Sequence, residues 1–277
     1  MSNSSQVTEK TEDSRLQDRA KQRITLIRDD DDESPVRRPQ PFSAQAISNE
    51  SEGKLFDGEN TPQNIATYGF GLGILAGCSI AFAATGVIYP QMWLFLMCLA
   101  IFHFLEYLAT ALYNGPKLSL DSFLINHSTH YHAAHLAGLT EFLIEAYFFP
   151  SWKQFGVINW LGLVLMVSGQ AARTIAMFSA KSNFSHHIVS YKASNHVLVT
   201  SGIYSIMRHP SYFGFYWWAI GAQVVLMNPI CFVLFVYWLH RFFSDRIQYE
   251  EHTLSLFFRE EWDAYKKKTP TLMPLIA

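Results

Sequence analysis

Two stretches of this 277-residue chain carry side chains that could do chemistry. The first runs from Asn195 to Tyr212 and holds His196, Tyr204, Arg208 and His209 just before Pro210. The second runs from Arg241 to Glu251 and ends an apolar segment that begins at Pro229. Pro210 disfavours helix at His209 and suits the first position of a helix beginning there. The unpaired amides and positive dipole end of that helix form a site for a carboxylate or another polar ligand group. In the second stretch Arg246 and Glu250 stand four residues apart, so a helix puts them on one face. Taken together, the two stretches make one site. Taken singly, each has a plainer reading: a polar loop entering a membrane, and a snorkelling arginine paired with a glutamate one turn on.

A competing constellation is His127-x2-His130-x-His132-x2-His135, followed later by His186-His187. Imidazole suits iron, and membrane di-iron desaturases and hydroxylases use histidine boxes. Those need several boxes of HxxxH and HxxHH type, and His186-His187 has no upstream partner at that spacing. The expectation is a solvated connector with some packing histidines, and no metal. Cys78, Cys98 and Cys231 each lie inside an apolar run without a CxxC pair, as packing residues do.

The elements that must position these groups are apolar. Charged residues make up 16% and aromatics 15%, against a usual charged share of about a quarter, which is the composition of a membrane protein. The net charge of −2 argues against nucleic acid or another polyanion as partner. Residues 1–60 are polar and poor in large apolar side chains, with an acidic block from Asp29 to Glu33. Such a segment cannot bury enough surface to offset the entropy of ordering, so a disordered tail is expected there. It has no apolar stretch of the signal-peptide kind, so the first apolar helix must act as the targeting signal.

From there the chain predicts six spans and an all-α fold. Residues 65–88 are apolar and rich in small residues, and Gly69-x3-Gly73-x3-Gly77 suits close helix packing. Residues 91–113 carry His103 and Glu106, and a carboxylate at that depth must face other helices or the rim. The polar connector 114–132 precedes a third apolar segment, 133–149, with Glu141 and Glu145. A fourth, 156–178, has Gln170 and Arg173 near its end. After the loop 179–202, a fifth begins at Pro210 and a sixth at Pro229. Lysines and arginines concentrate in the connectors on the side of both termini, while the opposite connectors hold only Lys153, so both termini and the 179–210 loop are expected in the cytosol.

Several segments, well separated and in order, resemble the isoprenylcysteine carboxyl methyltransferases. They are 102–107 (FHFLEY), 118–124 (LSLDSFL), 176–184 (AMFSAKSNF), 199–212, 241–251, and 260–270 (EEWDAYKKKTP). The resemblance spans about residues 90–277 and leaves the tail outside. It implies a multi-pass endoplasmic-reticulum enzyme that uses S-adenosyl-L-methionine. The reaction implied is methylation of the C-terminal carboxylate of a farnesylated or geranylgeranylated cysteine in Ras-type and other CaaX proteins. Carried over residue by residue, it places cofactor contacts at His196, Val197, Leu198, Val199, Tyr204, His209, Pro210, Ser211, Tyr212 and Glu250, with a further one at Val189. Arg246 matches the substrate-side arginine. Val189 and Val197 differ from the side chains of animal members, so contacts there require the backbone. The resemblance also implies a division into a tail, 1–60, and a membrane methyltransferase domain, 61–277. Other readings of the C-terminal half are a phospholipid methyltransferase, a sterol reductase with another cofactor, or a non-catalytic membrane scaffold.

Overall fold

The computed structural model describes residues 55–276, apart from Val87, His127, His187, residues 189–191 and residues 193–195. Val189 and Asn195, His127 and His187, and the tail up to residue 54 therefore lie outside the described residues. Among the described residues there are seven α-helices and no strands: α1 Pro62–Thr85, α2 Pro90–Tyr113, α3 Thr129–Phe148, α4 Val157–Ala180, α5 Pro210–Leu226, α6 Pro229–Phe258 and α7 Glu260–Lys268. Proline opens α1, α2, α5 and α6 at the first turn, where its missing N–H costs nothing. The described residues begin a little before the expected boundary. Asn64 at the start of α1 accepts from the Phe56 amide at 3.0 Å and donates to Asp57 at 2.6 Å, folding residues 56–59 back as a cap.

The helices pack around a core that includes Phe95, Phe102, Phe142, Met166, Trp218 and Leu226. A second cluster joins α5 and α6 to the chain's end through Tyr216, Phe243, Ile247 and Met273. Among the described residues three segments are long and apolar enough to cross a membrane: Pro62–Thr85, Pro90–Tyr113 and Val157–Asn183. α5 has only 17 residues and is mostly buried by its neighbours. α6 has 30 residues, about 45 Å at 1.5 Å per residue, so its charged C-terminal part extends beyond a hydrocarbon core of about 30 Å.

Helix packing corrects one expectation. Among the described residues nothing lies within 4 Å of where a Cβ would stand on Gly69, Gly73 or Gly77, so that stripe packs against none of the described helices. The close approach is instead between α4 and α5. A Cβ on Gly169 would lie 2.5 Å from the Gly214 carbonyl oxygen, and one on Gly214 would lie 2.5 Å from that of Gly169. This contact draws the α4 terminus, with Arg173, against the first turn of α5. All three cysteines are free; Cys98 and Cys231 are buried and Cys78 is exposed.

Candidate active site

The first turn of α5, the loop before it and the outer part of α6 enclose one crevice. Val197, Leu198, Val199, Tyr204, His209, Pro210, Ser211, Tyr212 and Glu250 all line it, with Asn183, Phe184, Leu254 and Trp262. Nine of the expected cofactor positions are thus brought together from two stretches far apart in sequence. His196 is not on the lining; its ring lies 6.4 Å from that of Phe257.

The loop is held from behind. Arg208 is buried and pairs with Glu251 at 2.8 Å, and its backbone N–H donates to the Pro270 carbonyl at 3.0 Å. Glu251 also takes Lys266 of α7 at 2.7 Å, and Tyr265 donates to the Tyr204 carbonyl at 2.6 Å. Arg259 makes this possible: its φ of 47° breaks α6 from α7, so that α7 folds back over the loop. Burial opposes ionisation of Glu251, but its hydrogen bonds from His209, Lys266 and Arg208 win and hold the carboxyl down at about 2. Burial, with Glu250 nearby, pushes the Tyr204 phenol up, so it faces the crevice as a neutral donor.

His209 stands between two carboxylates. Its Nε2 is 3.1 Å from Glu251 Oε1, its Nδ1 is 3.7 Å from Glu250 Oε2, and its ring lies parallel to that of Tyr212 at 5.5 Å. Arg246 and Glu250 share a helix face but do not pair with each other. Arg246 Nε donates to the Tyr212 hydroxyl at 2.9 Å, Nη2 donates to the His186 carbonyl at 2.6 Å, and the guanidinium lies over the Tyr212 ring. Tyr212 therefore separates the cation from the anion, its hydroxyl also facing Glu250. This arrangement argues against the plain ion-pair reading. Glu250 Oε2 is buried without a hydrogen-bond partner. A carboxylate oxygen stripped of water and left unpaired is costly, so the crevice fits a ligand that brings a donor or a positive charge to it.

Sequence reasoning missed how deep this network runs. Glu106 of α2, fully buried, takes Arg173 through both oxygens, at 2.5 Å and 2.8 Å, and His186 at 2.8 Å. Arg173 reaches on to Ser211 Oγ at 2.8 Å. The signal was a glutamate and an arginine each inside an apolar helix, and spacing alone does not say that they meet. In the histidine-rich connector His130 and His132 are exposed, while His135 packs inward against Tyr131 and so joins a cluster with His103 of α2. His103 lies 2.8 Å from the Phe123 carbonyl and 3.2 Å from the Tyr131 hydroxyl, and the His135 ring meets Tyr131 edge-on.

The comparisons with known proteins point to one family. The sequence profile of the isoprenylcysteine carboxyl methyltransferase (ICMT) family matches residues 160–256, which include both halves of the crevice. The chain is 44% identical over 205 residues to the protein-S-isoprenylcysteine O-methyltransferase of Rattus norvegicus, covering 74% of this chain and 72% of that one. It is 44% identical over 216 residues to that of Saccharomyces cerevisiae, covering 88% of the latter. A solved structure of the eukaryotic intramembrane Ras methyltransferase ICMT superposes with a TM-score of 0.71 at 36% identity, covering 74% of each chain. With these identities over most of either chain, and an all-helical bundle to match, this chain belongs to the isoprenylcysteine carboxyl methyltransferase family.

Proposed function

We propose that the crevice binds S-adenosyl-L-methionine and that Arg246 holds the C-terminal carboxylate of a farnesylated or geranylgeranylated cysteine for methylation. The observation that carries this reading is the pairing of a half-engaged cation, Arg246, with a carboxylate, Glu250, whose buried Oε2 accepts no hydrogen bond, on either side of Tyr212. A methyl acceptor that is an anion needs the first, and a cofactor rich in donors needs the second.

When bound, the cofactor supplies an electrophilic methyl on a sulfonium. The acceptor carboxylate is ionised at pH 7, so no general base is required of the chain. What the residues must do is orient and exclude water. Arg246 keeps Nη1 for the acceptor, since Nε and Nη2 are engaged. Its planar fork suits a carboxylate better than a lysine would. Glu250 accepts from a donor or cationic part of the cofactor. The first turn of α5, from Pro210 to Tyr212, contributes its amides, and residues 197–199 contribute backbone contacts, which the side chain at Val197 does not alter. Val189 is assigned to the same role.

The substrates are Ras-type and other CaaX proteins. The chain lies in the endoplasmic-reticulum membrane as six spans with both termini cytosolic, where cofactor enters from water and the prenyl chain from lipid. Residues 1–60 form a cytosolic tail and 61–277 the methyltransferase domain. The decisive experiment incubates membranes expressing the chain with N-acetyl-S-farnesylcysteine and methyl-labelled S-adenosylmethionine. A base-labile methyl ester is expected; its absence from correctly inserted, S-adenosylhomocysteine-binding protein would overturn the reading.

A further inference from the structure

Both hydrogen bonds of Arg246 come from outside its own helix, within which its guanidinium meets the Phe242 ring at 5.8 Å. Its Nη2 rests on the backbone carbonyl of His186, in the segment that follows α4. That segment is pinned twice from α2. Asn114 Nδ2 donates to the Lys181 and Phe184 carbonyls at 3.0 Å and 3.4 Å, and Glu106 Oε2 takes the His186 ring Nε2 at 2.8 Å. The same Glu106 binds Arg173, whose Nη1 donates to Ser211 in the first turn of α5. Through one carboxylate, α2 therefore reaches both sides of the crevice.

An ion pair for stability alone does not require this reach. Arg173 by itself occupies both Glu106 oxygens in a bidentate pair, and apolar replacements for buried pairs of this kind are often neutral. The His186 and Ser211 contacts extend the pair outward to the groups that meet ligand. Glu106 has no exposed surface, is not on the crevice lining and makes no hydrogen bond to Arg246, so its route to the site runs through these neighbours.

We propose that Glu106 is a positioning residue for the methyl acceptor: it fixes His186, whose carbonyl sets the Arg246 guanidinium against Tyr212. This rests on the reading of Arg246 as the carboxylate-binding arginine. A transfer reaction loses about two orders of magnitude for a displacement near 1 Å, so loosening the His186 anchor should appear in acceptor kinetics before it appears elsewhere.

The test uses the full chain in detergent or nanodiscs with four variants. His186→Phe keeps a ring but cannot bond Glu106, His186→Gln keeps a donor, Glu106→Gln keeps the shape but not the charge, and Arg246→Ala checks the underlying reading. Acceptor kcat/KM with N-acetyl-S-farnesylcysteine, the Kd of S-adenosylhomocysteine and the melting temperature are measured for each. His186→Phe is expected to lower acceptor kcat/KM at least about tenfold while leaving the Kd within about threefold. His186→Gln should recover most of that loss, and Glu106→Gln should follow His186→Phe if it folds. Should Arg246→Ala cripple the reaction while His186→Phe does not, the inference fails and the reading of Arg246 stands. Should Arg246→Ala leave acceptor kinetics intact, that reading itself fails. A His186→Phe protein whose Kd rises as much as its kcat/KM falls would also overturn the inference, because the anchor would then be serving the crevice as a whole.

Discussion

Two polar clusters are buried in this bundle, one at each end of α5, and they are finished differently. At the C-terminal end Lys153 is 2% exposed, and its Nζ donates to the Leu226 and Met227 carbonyls at 2.8 Å and 2.7 Å and to Asn228 Oδ1 at 3.1 Å. Glu145 lies against it at 2.7 Å, and Glu141 caps α6 by accepting from the Ile230 and Cys231 amides, both at 2.7 Å. Most of these charges meet the orphan groups that helix ends leave, and Glu145 Oε2, though it accepts no hydrogen bond, lies 2.7 Å from the Lys153 cation, so that cluster is closed by charge. At the N-terminal end Glu106 and Arg173 are just as well paired, but the network opens outward to Arg246 and Glu250. There it stops short: one carboxylate oxygen has no partner, and Arg246 is engaged on two of its three nitrogens. A closed polar cluster holds the fold; an open one of the same residue types is set to receive a ligand.

The largest expected effects cross over between the ends. Lys153→Met leaves Glu145 unpaired and two carbonyls bare, which should cost about 3–5 kcal/mol of stability. In the fraction that folds, acceptor kcat/KM should stay near wild type. Arg246→Ala should do the reverse, removing about 2–5 kcal/mol of transition-state stabilisation with little change in melting temperature. Unfolding in detergent and methylation kinetics on both variants check this. If Lys153→Met damages turnover of folded protein as Arg246→Ala does, the distinction between the two ends collapses.

A smaller effect concerns Glu251, which closes part of the open end. Its carboxyl is held at about 2 in the folded chain, whereas an unfolded glutamate titrates near about 4.3. Folding therefore favours the ionised form. The stabilisation is complete above the unfolded value and is lost as pH falls through the folded one. Melting curves of wild type and Glu251→Gln should differ most at neutral pH and converge toward pH 2. Parallel curves over that range would mean that Arg208 and Lys266 contribute nothing through this carboxylate.

What was legible in the sequence follows the same division. Proline-led apolar runs fixed the starts of α5 and α6, and the RHPSY and Arg246-x3-Glu250 patterns located both walls of the crevice. Partnership across the chain was not legible. Lys153 stood out in the sequence only as the lone cation of the connectors opposite the termini; it is a buried helix cap, and nothing local records that the α5 terminus arrives beside it. The stripe of Gly69, Gly73 and Gly77 had a better packing pattern than Gly169 and Gly214, yet the latter pair makes the close approach. Small residues permit contact without choosing the helix that makes it. The cost of a bare charge in lipid turned Glu106 toward other helices or the rim, but that argument names no partner, and Arg173 and His186 had to be found in space.

The smallest expected effect is the sharpest test of the open end. If Glu250 belongs to a closed cluster, through His209 at 3.7 Å, then Glu250→Gln breaks an interaction and lowers the melting temperature of the ligand-free protein. If its buried oxygen is unpartnered, neutralising it removes a desolvation cost, and the ligand-free protein should melt at the same temperature or slightly higher. The two cases separate again when ligand is added. At a concentration of about 100 Kd, S-adenosylhomocysteine should stabilise the wild type by about 2.7 kcal/mol. A tenfold weaker complex at that same concentration gains only about 1.4 kcal/mol. The expected pattern for Glu250→Gln is therefore an equal or better start and a smaller gain, read from melting curves with and without ligand. A worse start with an undiminished gain would place Glu250 among the groups that hold the fold, and the open end would have to be sought at Arg246 alone.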